Sequence, residues 1–171
     1  MSASEASLYE ELILESNDRS RTADLKLGTI SIDYYEDLFS PTITAKMRVV
    51  NTGDSIAAEG EKERQSIYNG LPLRGGERLS MKILDHGKTG SGKDKTGLDF
   101  TDPDRNLIVS SITEVISESQ RESFMLNLVS REAISNETTR VFKKYSAKIS
   151  TSVETILKDV LATETDRYEV D

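Results

Sequence analysis

The residues whose types and spacing come nearest to a chemical signature are Gly87-Lys88-Thr89-Gly90-Ser91-Gly92-Lys93, which satisfy the glycine, four-residue, glycine-lysine spacing of a phosphate-binding loop. In such a loop successive backbone N–H groups wrap the phosphates and the lysine contacts the terminal ones. A following serine or threonine then holds magnesium at a helix N-terminus. Here Asp94 stands at that position, where a carboxylate repels a triphosphate, and Lys95-Thr96-Gly97 leads into no apolar helical run. No strand–helix–strand pattern surrounds the motif. The expectation is a flexible polar connection from His86 to Arg105 rather than a nucleotide site.

The other candidates are weaker. His86 is the single histidine, and it stands beside the glycine-rich loop as an exposed residue without a second histidine to share a metal or a proton. Asp99-Phe100-Thr101-Asp102-Pro103-Asp104 lacks the glycine and the twelfth-position glutamate of a helix–loop–helix calcium loop. The carboxylates from Glu114 to Glu122 have no spacing that marks an acid–base pair, so both clusters read as solvated loops and strand faces. With no cysteine among 171 residues, disulfides, thiolate catalysis, zinc fingers and iron–sulfur clusters are excluded. The sequence thus calls for no enzyme, no cofactor and no metal.

Thirty acidic side chains against 22 basic ones give a net charge of −8, which disfavours sequence-independent binding to nucleic acid or anionic lipid. No apolar run approaches the roughly 20 residues of a membrane helix. The start, MSASEAS, lacks the basic-then-apolar order of a secretory signal, so the chain is expected in soluble form.

The elements that must position any site are mostly strands. Thr42 to Val50 alternates Ile43, Ala45, Met47 and Val49 with Thr42, Thr44, Lys46 and Arg48, the pattern of a half-buried strand. Glu77 to Asp85 does the same with Leu79, Met81 and Ile83 inward. In Ser123 to Ser130, Phe124, Leu126 and Leu128 share one face, while Met125 and Val129 make the other partly apolar, as for a strand that meets a partner or an overlying element. Ala23 to Tyr35 places Ala23, Leu25 and Leu27 on one parity and Ile30, Ile32 and Tyr34 on the other, which is expected of one curved strand bulged at Gly28. Leu8 to Ser16 and Asn106 to Ser117 complete six strands. Ser40-Pro41, Asn51 to Asp54, Asn69-Gly70 and Gly75-Gly76 mark turns between them. Asp54 to Tyr68 fits either a short helix or an exposed loop.

Near the end, Val153, Ile156, Leu157, Val160 and Leu161 form one helical stripe, with Thr151 and Glu154 spaced as a capping box. Tyr34-Tyr35 and Leu38-Phe39 concentrate aromatic and apolar surface at a strand end, either to anchor a neighbouring subunit or to plug the end of a barrel. Tyr34, Tyr35, Leu38, Phe39, Met125 and Val129 are therefore the candidate interface residues.

Three stretches carry a resemblance: Ser7 to Ser16, Tyr68-Asn69-Gly70-Leu71-Pro72-Leu73-Arg74-Gly75-Gly76-Glu77-Arg78-Leu79, and Leu126 to Arg140. They resemble the baseplate central hub protein of contractile-tailed phages of the T-even type, especially versions carried by phages of marine cyanobacteria. The likeness covers most of Leu8 to Leu161 and contains no catalytic signature. It implies a mainly β fold with a C-terminal α-helix, an antiparallel curved sheet or β-barrel of the tail-tube type. It also implies a division into a flexible N-terminus (1–7), the barrel domain (8–134) and the helix-containing start of a following domain (135–171).

The function implied by the resemblance is that of a structural virion protein, assembled in the host cytoplasm. In that family each subunit carries two barrels, so a homotrimer presents six similar modules and joins a threefold spike protein to a sixfold tail-tube protein. This chain would hold the first barrel. DNA would pass through the channel without specific binding, since an acidic bore repels it. Two alternatives from the same residues are a tube-like module of a contractile secretion system and a nucleotide-binding enzyme using 87–93.

Overall fold

A computed structural model describes residues 7–40, 42–51, 56–57, 64–71, 73–84, 97–118, 121–138, 142 and 144–156. The strands are β1 (Leu8–Glu15), β2 (Thr22–Asp24), β3 (Thr29–Tyr35), β4 (Thr44–Asn51), β5 (Ile56–Ala57), β6 (Arg64–Gln65), β7 (Arg78–Leu84), β8 (Gly97–Phe100), β9 (Leu107–Glu118) and β10 (Arg121–Val129). The helices are α1 (Ile67–Gly70), α2 (Arg131–Thr138) and α3 (Ile149–Ile156). Eight strands form one antiparallel sheet in the order β2-β1-β7-β9-β10-β4-β3, with β8 also pairing β7, and β5-β6 make a separate ladder. The chain is mainly β, as the alternation requires.

One face of the sheet supplies most of the core. Leu12, Leu14, Met47, Val49, Leu79, Met81, Leu107, Val109, Phe124, Leu126 and Leu128 are all buried, and each belongs to the inward parity of its strand. Ile67, Leu71 and Leu73 join them from α1 and the turn after it, and Tyr68 lays its ring 6.1 Å from that of Phe124. Ser66 caps α1 by accepting from the Asn69 amide; of the undecided 54–68 stretch the described residues form the β5–β6 ladder, which neither expectation included, and the start of this helical turn.

The sheet cannot be flat. Its two edge strands, β2 and β3, are consecutive in sequence, and Asp24 to Thr29 reaches about 18 Å at full extension. In a flat sheet the seven-strand path would hold them roughly 29 Å apart. The sheet must therefore curl until its edges approach. The corner that joins them is tight: Gly28 and Thr29 amides both donate to the Leu25 carbonyl at 3.1 and 2.9 Å, and the Val50 amide donates to the Gly28 carbonyl at 2.8 Å.

This corner corrects the expectation of one strand bulged at Gly28. The chain leaves one edge at Asp24, turns, and enters the other edge at Thr29; Leu25 is buried but Leu27 projects fully into solvent. A register shift does occur, between Thr29 and Ser31, so the extra residue is Ile30, which is 60% exposed although sequence parity assigns it inward. Among the described residues the strand count also rises from the expected six to ten, because β2 is separate, β8 forms within the 86–105 connection, and β5 and β6 make their own ladder.

A further difference concerns α3. The described part of α3 starts at Ile149, with the Ser152 amide donating to the Lys148 carbonyl at 2.8 Å, so the helix begins upstream of the expected Thr151 cap. Thr151 lies inside it, its carbonyl accepting from Thr155 Oγ1 at 2.7 Å. Leu157, Val160 and Leu161 of the predicted stripe lie outside the described residues. The expected domain limit at residues 134 and 135 falls within α2.

At the β7 entrance, Gly75 and Gly76 take φ of +97° and +93°, a region closed to most side chains. The turn wraps the carboxylate of fully buried Glu77, which accepts from the Arg74 amide at 2.6 Å and from the Gly75 amide at 3.0 Å. Backbone donors thus satisfy a charge that burial alone would penalise.

Candidate functional site

The candidate interface residues fall on the β3–β4 hairpin and on β10, and strand parity divides them. Tyr34 turns to the core face, its ring 6.0 Å from that of Phe100 on β8, and its hydroxyl donates to Glu36 Oε2 at 2.9 Å. Burial, reinforced by Glu36, raises its pKa to about 12. Tyr35, the next residue, points outward and is half exposed.

Beyond Tyr35 the chain makes a turn built by its own polar groups. Asp37 Oδ1 accepts from the Phe39 amide at 2.9 Å, and the Ser40 amide donates to the Asp37 carbonyl at 3.0 Å. Such a turn projects its central side chains away from the sheet, so Leu38 is 94% and Phe39 93% exposed. Beside them Tyr35, Glu36, Asp37, Ser40 and Thr42 help line a shallow cleft of about 430 Å³. Tyr34 thus packs against the core, and Tyr35, Leu38 and Phe39 face outward.

On the outer face, ladder register places Tyr35, Thr44, Val129, Ile108 and Arg78 in one row across β3, β4, β10, β9 and β7. Val129 is therefore two strands from Tyr35 on the same surface. Met125 lies in a second row, between Arg48 and Thr113. Both are half-buried, Met125 between polar partners and Val129 between Thr44 and Ile108. Asn127 between them donates to Ser111 Oγ and Thr113 Oγ1, each at 3.1 Å. Glu114 takes a left-handed φ of +52° at a shift in the β9–β10 register, and its carboxylate meets Arg48 across β10.

The carboxylates of the 99–104 stretch make local contacts. Asp99 accepts from the Thr101 hydroxyl and amide, which lowers its pKa; Asp102 accepts from the Asp104 amide; Asp104 pairs with Arg131 at 3.2 Å. Among the described residues no group of three or more His, Asp or Glu could hold a metal ion. The loop Gly87 to Lys93, with His86 and Asp94, lies outside the described residues.

Further exposed apolar side chains, not picked out from the sequence as an interface, are Phe142 (94% exposed), Ile149 (85%) and Val153 (49%). No residue of α3 is buried. The signal available was Ile149 at four residues before Val153, which extends the helical stripe upstream; Phe142 had no pattern to announce it.

Comparison with protein-family models, with curated proteins and with solved structures found no match for this chain.

Proposed function

We propose that this chain is a structural subunit of the baseplate hub of a contractile phage tail, a tail-tube-type β-barrel module that joins a threefold central spike to a sixfold tail tube. The observation that supports the reading is the antiparallel sheet curled by the Leu25–Gly28 corner, with its concave face filled by its own side chains. Such a wall keeps its shape while its hairpin tips and outer face are left for neighbours. Leu38 and Phe39, held outward by the Asp37 turn, suit that use better than a role in the core.

The module works by contact, without turnover. Two related barrels in each subunit of a homotrimer repeat one contact surface around the ring, so the assembly matches the sixfold tube on one side and the threefold spike on the other. The acidic excess keeps the bore from retaining DNA as it passes. The protein is a virion component, assembled in the host cytoplasm. Electron microscopy of the complete protein mixed with its spike tests this: a threefold collar on the spike supports the hub, and separate particles overturn it.

A further inference from the structure

We propose that the outer face of β1 and β7 carries a binding site for a small zwitterion, a carboxylate joined to an N–H donor as in a free amino acid or the end of a short peptide. The site is a cleft of about 290 Å³, close to the lower bound of about 300 Å³ for small-molecule pockets. It does not depend on the hub reading.

Strand register builds the floor of the cleft. Glu15 stands opposite both Arg78 and Thr22, and Ile13 opposite Ser80, so these residues share the outward parity of β2, β1 and β7. Asn106 and Pro103, from the turn before β9, and Arg19, from the β1–β2 turn, complete the lining.

Two observations point to a ligand. Asn106 Oδ1 is buried and accepts no hydrogen bond, and no other buried side-chain nitrogen or oxygen among the described residues is in that state. An acceptor withdrawn from water without a donor is costly, and a donor entering the cleft removes that cost. The side chains of Glu15, Arg19 and Arg78 also make no ion pair or hydrogen bond among the described residues, although Glu15 and Arg78 are neighbours across the ladder.

The surrounding charges are already engaged. Glu11, which also lines the cleft, accepts from the Ser80 hydroxyl, and Lys82 opposite it is held by Glu10 at 3.2 Å and Asp99 at 3.8 Å. Asp24 pairs with Lys26 at 3.2 Å and Asp104 with Arg131 at 3.2 Å. Asp18 accepts from the Ser16 and Ser20 hydroxyls at 2.7 Å, Asp102 accepts from the Asp104 amide at 3.0 Å, and Arg105 helps to keep Asp99 ionised. The cleft thus keeps one free carboxylate and two free guanidinium groups.

That mixture selects the ligand. A purely anionic molecule meets Glu11 and Glu15, a purely cationic one meets Arg19 and Arg78, and an apolar one strips water from all four without return. A zwitterion meets each group with its complement: its carboxylate takes the guanidinium forks of Arg78 and Arg19, and its N–H group takes Asn106 Oδ1 and Glu15. Ile13 and Pro103 supply apolar contact to the carbon between the two charges.

The full chain labelled with nitrogen-15 is titrated with L-alanine and with L-alanyl-L-alanine, following the Asn106 side-chain amide and the Arg78 Nε–H signals, with acetate and ethylamine as single-charge controls. The expected result is a saturable shift of both signals with Kd of about 1–10 mM, and binding of each control at least about tenfold weaker. Tighter alanine identifies a free amino acid as the occupant, and tighter dialanine a peptide end. Asn106→Leu and Arg78→Gln each weaken binding at least about tenfold, while the urea midpoint does not fall, because neither group has a partner to lose. No saturable shift up to about 100 mM, equal binding of either control, or undiminished binding by both variants overturns the proposal. So does a lowered midpoint in both variants, which shows the two groups already engaged within the fold.

Discussion

Substituting Gly28 by alanine probes the corner on which the curl of the sheet depends. A Cβ built there lies 2.6 Å from the Val50 carbonyl oxygen, a distance real Cβ atoms do not show, and the obstacle is backbone. Relief requires the corner to draw away from β4, stretching the 2.8 Å hydrogen bond from the Val50 amide to the Gly28 carbonyl. Loss of that bond costs about 0.5–1.5 kcal/mol, and overpacking adds about 1–3 kcal/mol. Against this, alanine stiffens the unfolded chain and returns about 0.4–1 kcal/mol. The net expectation is destabilisation by about 0.5–4 kcal/mol. With a denaturant slope of about 2 kcal/mol per molar, the urea midpoint followed by circular dichroism falls by roughly 0.25–2 M. The sign is decisive: at an open loop glycine the same change is neutral or stabilising, so an unchanged or raised midpoint refutes the tight corner.

Other outcomes follow from the same geometry. Glu77→Ala removes the carboxylate that accepts from Arg74 and Gly75 and leaves a buried void, so urea unfolding should show a loss of about 2–4 kcal/mol. Arg19 holds a left-handed φ of +61° at the end of the β1–β2 turn, and Arg19→Gly should raise the urea midpoint by the equivalent of about 1 kcal/mol. Tyr34 has its pKa raised from 10.0 to about 12, so its neutral form contributes stability fully present below pH 10 and lost as pH rises toward 12; Tyr34→Phe should abolish the slowest-titrating tyrosinate absorbance. Asp18 is lowered from 3.8 to about 2 by hydrogen bonds from Ser16 and Ser20, so its contribution is present above pH 3.8 and lost as pH falls toward 2, as carboxyl chemical shifts in an acid titration would show.

How far the fold was legible depends on how each element is stabilised. β4, β7 and β10 were readable because each buries one full face, so apolar parity and structure coincide at Met47, Met81 and Leu126. The corner at Leu25–Gly28 was not, because a turn that reverses parity looks in sequence like a bulge that does the same. Side chains mark it locally: Asp24 Oδ1 accepts from the Lys26 amide at 2.9 Å and the Thr29 hydroxyl donates to the Leu25 carbonyl at 2.8 Å. β8 was hidden because its alternation rests on Leu98 and Phe100 alone, and pairing with β7 rather than propensity orders it. At the candidate interface, composition marked Leu38-Phe39 as a concentrated apolar patch and alternation set Tyr34 and Tyr35 on opposite faces, whereas the exposure of Ile30, which shares the parity of Ile32 and Tyr34, depends on the bulge. The α3 surface was half visible, since the predicted stripe began at Val153 and missed Ile149.

The central claim is that this curled β wall works by being held between neighbours. Its most direct test is the mass of the particle formed when the protein is mixed with the proposed threefold spike partner. The expected result is a single species carrying as many copies of this subunit as the spike has chains; a mixture showing only free spike and unassembled subunit contradicts it.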